Sequence, residues 1–288
     1  MKYKIITLLL CVCTTMLIAQ KQNKALQQKI ETLCAGFNGT VGIYVQSLTT
    51  GKYAAYQADT VFPTASMVKV PILIGIMHKI QHGILSYHQP LTFTDSLVYS
   101  EGDDLLAALK PGSTVELSKV IMLMLTTSDN CASLWLQGLA GGGSTINPIM
   151  EQLGLAHTRV NSRTAGREAN KKQYGWGQCT PKEMVTLFHL LYQGKVINDT
   201  MSSKMIRLLG RNYWDEEALT AIPSTIYVAS KNGAVNASRS ETLLVMAKQP
   251  YIFSIITKNQ KDESWEATNE GWELARKLSR LLYSYYSK

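Results

Sequence analysis

The apolar pattern of this chain is strand-like at both ends and helix-like between them, and that order restricts its fold more than any single motif. Early on, "TVGIYVQSL" and "KYAAYQAD", joined through "TTG", have the composition and turn of a β-hairpin. Near the other end, "STIYVASK", "ETLLVMAK" and "YIFSIITKN" read as three consecutive strands. Helical spacing of Leu26, Ile30, Leu33 and Phe37 predicts a first helix, and Leu274, Leu278, Leu281, Leu282 and Tyr285 mark a closing one. From about 64 to 210 the segments read as helical, separated by loops such as "KPGST" and "LAGGGST". The expectation is an α+β fold: an antiparallel five-stranded sheet from both chain ends, flanked by terminal helices, with a large all-helical lobe, in three layers α/β/α. With no repeat and no Pro- or Ser-rich linker, residues 20–288 read as a single domain, its sheet lobe 20–62 and 215–288 and its helical lobe 63–214. A cleft between the lobes is the natural place for a site.

Residues 1–19 read as a signal peptide: Lys2 and Lys4 precede an apolar run, and small Ala19 stands at a plausible cleavage point. The run from Ile5 to Ala19 is shorter than the ~20 residues a span requires, so no membrane anchor is expected after cleavage. Cleavage removes Cys11 and Cys13 and leaves Cys34, Cys131 and Cys179, which cannot all pair. One disulfide, such as Cys131 with Cys179, or three buried thiols are both open, and the spacing fits no zinc site. Loss of Lys2 and Lys4 takes the formal charge from +8 to +6. Lys and Arg are scattered with no long run, which argues against nucleic acid as a partner.

In "TASMVKVPIL" a lysine is held inside an apolar segment, three residues after a serine. If Thr64 caps the helix that follows, Ser66 sits in its first turn and Lys69 one turn on, so the side chains meet. The surrounding Met67, Val68, Val70, Ile72, Leu73, Ile74, Ile76 and Met77 make the helix apolar nearly all round, which desolvates Lys69 and lowers its pKa. A lysine that snorkels to the surface is the bland alternative. Pro71 near the helix start predicts a kink or a 3₁₀ beginning. Two further pieces are weak alone: Ser128-Asp129-Asn130 is also a helix cap, and Lys231-Asn232-Gly233 also a hairpin turn.

Together, Ser-x-x-Lys, then Ser-Asp-Asn, then Lys-x-Gly, on a helix, a helical-lobe loop and a strand, resemble the penicillin-recognising serine hydrolases. The likeness is greatest to class A β-lactamases and their class A-like relatives, and it extends through "LGLAHTRV", "CTPKEMVTLF" and "SRS" around Arg239. It implies the β-lactamase/transpeptidase-like fold, Ser66 as acylated nucleophile and Lys69 as its activating base. It makes Ser128 a proton relay to the leaving nitrogen, Asn130 a holder of the substrate amide, and Lys231 a partner of the substrate carboxylate and of Ser128. Backbone N–H groups of Ser66 and Ala234 would form the oxyanion hole, which acyl transfer needs. Arg239 would add carboxylate recognition, or be a solvated hairpin charge; Tyr99 would wall the cleft, or be a packed surface aromatic.

Two departures stand out. Asn232 replaces the usual Thr or Ser of the third motif. Class A enzymes carry a deacylating glutamate four residues before an asparagine in the loop "RTAGREANKKQYGWG", and here that position is Gly166; the nearby carboxylate is Glu168. Glu168 is a substitute only in a rearranged loop and is otherwise an exposed glutamate. His78 and His82, at i and i+4, lack a third ligand and read as a helix-surface pair, and Gly141–Gly143 as a helix-ending loop. The expectation is a monomeric hydrolase, secreted to a bacterial periplasm, that opens β-lactam rings and uses no cofactor. The alternatives are a D-Ala-D-Ala peptidase acting on cell-wall peptides and a penicillin-binding sensor that acylates without turnover.

Overall fold

The computed structural model describes residues 21–99 and 104–288; the leader expected over 1–19 lies outside them. The chain enters through α1 (Lys24–Cys34), whose start is fixed by Asn23, the side-chain oxygen of which accepts the Leu26 N–H. β1 (Thr40–Ser47) and β2 (Tyr53–Tyr56) form the expected hairpin, with Gly51 at φ 67° in its turn. A short β3 (Phe62–Pro63) and a 3₁₀ turn over Ala65–Val68 lead into α2 (Lys69–Gln81). Then come β4 (Pro90–Thr92) and β5 (Thr114–Glu116), which pair with each other, and α3 (Leu117–Thr126), α4 (Asn130–Leu139) and α5 (Gly143–Gln152). β6 (Arg159–Val160), α6 (Glu168–Tyr174) and β7 (Gly177–Cys179) form a loop tied to β3 through β7, and α7 (Pro181–Tyr192) and α8 (Asp199–Leu209) complete the helical side. The chain returns through β8 (Val228–Val235), β9 (Ser238–Val245) and β10 (Tyr251–Lys258) and closes with α9 (Glu270–Tyr286).

The main sheet has the order β2-β1-β10-β9-β8, antiparallel throughout, so the two chain ends interleave at β1 and β10. Alternation along each strand divides its side chains between two cores. Ile43, Val45, Phe253 and Ile255 join Leu26, Ile30, Trp272 and Leu278 of the terminal helices. Tyr44, Ile252 and Ile256 face the helical lobe and join Phe62, Ile72, Leu187 and Phe188. Helix α2 runs through the middle of that lobe, buried at every position from Lys69 to Met77. Each fully buried aliphatic side chain there contributes roughly 1.5–3 kcal/mol, which anchors the segment carrying Lys69.

One local expectation is corrected. Thr64 makes no side-chain cap; its backbone is helical and its buried hydroxyl has no partner among the described residues, the 3₁₀ turn being closed by Met67 N–H donating to the Thr64 carbonyl. The third motif lies on a strand, as expected: Lys231-Asn232-Gly233 is within β8, in register with Thr242, Glu241 and Ser240, and the hairpin turn falls beyond it, between Val235 and Ser238. Cys34, Cys131 and Cys179 are buried free thiols, so the Cys131–Cys179 pair left open by the sequence is not made.

Candidate active site

Three elements converge on Ser66. The 3₁₀ turn carries Ser66 itself, with Ala65 before it held at φ 44°, a left-handed conformation that a side chain adopts only at a cost. Lys69 begins α2 with its side chain wholly buried. Its Nζ lies 3.1 Å from Ser66 Oγ, 3.0 Å from Ser128 Oγ and 2.9 Å from Asn130 Oδ1, and it also bonds the Ser128 carbonyl. The lysine therefore bridges the two hydroxyls that an acyl transfer would use. Burial brings its pKa down to about 7, with Asp104 and Asp129 opposing that shift.

The Ser128 loop is held from both sides. Ser128 has φ 61°, and Asp129 behind it caps α4 by accepting from Ala132 N–H at 2.8 Å, while its other oxygen takes the Leu106 N–H at 2.8 Å. Asp104 receives the Asn130 N–H at 2.6 Å and the Cys131 N–H at 3.2 Å. The carboxylates of this Asp104–Asp129–Cys131 cluster are thus engaged in capping. Just before Ser128, the Trp214 indole donates to the Thr127 carbonyl at 2.9 Å and the Tyr213 N–H to that of Thr126 at 2.9 Å. Sequence reasoning missed Asp104, Trp214 and Trp176; the available signal for Asp104 was that a buried lysine calls for a nearby anion.

Edge strand β8 brings Lys231, also wholly buried, with Nζ 2.8 Å from the Asn232 carbonyl and 3.2 Å from Asn232 Oδ1. It bonds Asn232 where the resemblance implied Ser128. Burial and the Lys69 charge both push it well below the usual lysine range, with Glu241 opposing. Gly233 lets the strand approach Ser66: a Cβ there would stand 2.5 Å from Ser66 N and 2.9 Å from Ala65 Cβ. Ala234 follows, lining a cleft of about 500 Å³ together with Ser66, Asn130, Tyr99 and Trp176. Tyr99 and Trp176 meet edge to face, centroids 5.1 Å apart, and form an aromatic wall. A larger groove, about 790 Å³ and bounded by Asp215, Tyr227 and Ser230, holds none of the acyl-transfer residues.

Two expected participants stand elsewhere. Arg239, 1% exposed, leaves the cleft: its guanidinium donates to the carbonyls of Val235, Ser238 and Ser264 and lies 4.9 Å from the Trp265 ring and 5.7 Å from that of Trp272. The physical reason is register, since its neighbour Ser240 faces the 3₁₀ turn and bonds the Thr64 carbonyl, so residue 239 points to the α9 side. Glu168 is exposed in the first turn of α6, where it accepts the Gly166 N–H at 3.1 Å. The inward polar contacts of this loop belong to Arg167 and Asn170, which bond Gln178.

A family model described as "Beta-lactamase enzyme family" matches residues 25–286. The β-lactamase CARB-4 of Pseudomonas aeruginosa is 23% identical over 269 residues, covering 91% of this chain and 90% of its own. Among solved structures, a PBP-A mutant in an acyl-enzyme complex with penicillin G superposes with TM-score 0.81 at 24% identity, covering 93% of this chain and 98% of its own. A class A β-lactamase from Mycobacterium abscessus gives TM-score 0.80 at 18% identity, over 91% and 99%. The match spans both lobes and the whole Ser66 cleft, and the chain belongs to the β-lactamase enzyme family.

Proposed function

We propose that this protein opens β-lactam rings by forming an acyl-Ser66 intermediate and releases the product slowly. The observation that carries this reading is Lys69 set between Ser66 Oγ and Ser128 Oγ with a pKa near 7. Neutral Lys69 takes the Ser66 hydroxyl proton as Oγ attacks the ring carbonyl; the Ser66 and Ala234 N–H groups receive the oxyanion. The C–N bond then breaks as Ser128 gives its proton to the ring nitrogen and regains one from Lys69. Slow release follows from the loop: Glu168 faces solvent, and the cleft wall on that side is Trp176, which cannot activate water. Export through the lysine-led segment 2–19 would bring the protein, as a monomer, to its substrate in the periplasm.

That same wall favours a second reading, a D-Ala-D-Ala peptidase whose acyl-enzyme waits for an amine acceptor; the similarity to PBP-A points the same way. Intact mass followed over time after mixing with benzylpenicillin, alongside drug loss, tests both. The wild type should gain one acyl mass that decays slowly, Ser66→Ala should gain none, and Glu168→Gln should lose the adduct at the wild-type rate. Acylation of Ser66→Ala would remove the proposal, and release of D-alanine from a model peptide would move it to the second reading.

A further inference from the structure

Lys258 is a charge without an opposite in the wall of the Ser66 cleft. Its ammonium donates to the Val61 carbonyl at 2.8 Å and lies 4.8 Å from the Phe62 ring centroid. Among the described residues no carboxylate stands within ion-pair distance of it, and none of the described residues lining the cleft is acidic. Lys258 is the one charged side chain among those lining residues. An ammonium has three donors, so two remain for a ligand. Partial burial without a counter-ion is unfavourable, and an anion arriving from the cleft relieves it.

Its position says which part of a substrate that anion belongs to. Along β8 the chain passes Lys231, then Ala234 of the oxyanion hole, and then the turn to Ser238. The register pairing Ser240 with Ile256 brings Lys258 to the Ser238 end of the sheet. In the Ser66 acylation reading the leaving nitrogen is at Ser128, so the acyl arm, on the other side of the carbonyl, runs toward the opposite end of the cleft, where Lys258 lies.

We propose that Lys258 recognises a carboxylate on the acyl arm of the substrate, so that the cleft prefers acyl donors whose side chain ends in an anion. This rests on the Ser66 acylation reading. The carboxylate has two chemical sources, the side chain of a β-lactam or the acyl portion of a cell-wall peptide. The test is a set of penicillins made by acylating 6-aminopenicillanic acid with linear dicarboxylic acids from malonic to adipic, each beside the same chain ending in methyl. Acylation rates are read by intact mass for the wild type, Lys258→Met and Lys258→Arg. At least one carboxylate arm should acylate the wild type about tenfold faster than its methyl partner, as expected for one charge-assisted bond. That ratio should fall to near one in Lys258→Met and return in Lys258→Arg. Lys258→Gln, which can still bond Val61, serves if the methionine variant does not fold. The same arms on D-alanyl-D-alanine peptides, read by released D-alanine, separate the sources: a preference confined to that series assigns the site to the cell-wall donor. Equal ratios in wild type and Lys258→Met would overturn the proposal while leaving acylation by the methyl compounds intact. No acylation by either series would remove the Ser66 reading, and this inference with it.

Discussion

An amine that is neutral near pH 7 accepts a proton, and at Lys69 burial and two carboxylates set that balance. Burial lowers its pKa to about 7, and Asp104 and Asp129 keep it from falling further. Because the neutral form is the base, acylation should rise with pH through about 7 and fall about tenfold for each pH step well below it. Asp104→Asn removes an anion that favours the ammonium, so the midpoint of the acylation profile should move to lower pH. Rates of adduct formation between pH 5 and 9 for both proteins check this; coincident midpoints would show that Asp104 only caps α4. The Ser66–Lys69 contact was legible in the sequence because a spacing of three residues fixes it, whereas Ser128, whose contact with Lys69 spans 59 residues, was placed only through the family resemblance. Asp104 was not legible, since its partner Asn130 lies 26 residues away and the intervening fold alone brings them together.

Elements explain where the sequence misled. The three C-terminal strands were readable, and the third motif was placed on the first of them, with the turn set beyond it by the pairing of Val235 with Ser238. One residue of register decides which face a side chain takes, so Arg239 could not be placed from its motif alone. Two substitutions on this hairpin should therefore behave in opposite ways. Gly233→Ala pushes a Cβ against Ser66 N and should cut acylation about a hundredfold, the effect of losing an oxyanion donor, with a modest change in melting temperature. Arg239→Gln leaves several buried carbonyls without a donor and should cost about 2–4 kcal/mol of stability, while the folded variant at low temperature acylates nearly as the wild type does. Thermal melts beside acylation rates distinguish them; a large acylation defect in folded Arg239→Gln would return that residue to the cleft.

At the scale of the molecule, one sheet serves two cores. The cluster that surrounds α2 includes Tyr44, Ile252 and Ile256 from the sheet, whose neighbours Ile43, Phe253 and Ile255 point into the other cluster with α1 and α9. Interleaving of β1 with β10 means that the sheet exists only when both chain ends are in place. A defect under α9 should accordingly destabilise the helical lobe, although no helical-lobe residue is altered. Leu278 is wholly buried in the outer cluster, so Leu278→Ala should cost about 2–5 kcal/mol. Trp135, packed on Phe93 within the helical lobe, reports the far side of the molecule. If residues 20–288 are one cooperative unit, far-UV circular dichroism and the emission of Trp135, read in a background whose other four tryptophans are replaced by Phe, should shift together in Leu278→Ala, to the same lower midpoint. A helical-lobe signal that kept its wild-type midpoint would divide the chain into two units and place the Ser66 cleft on a movable boundary between them.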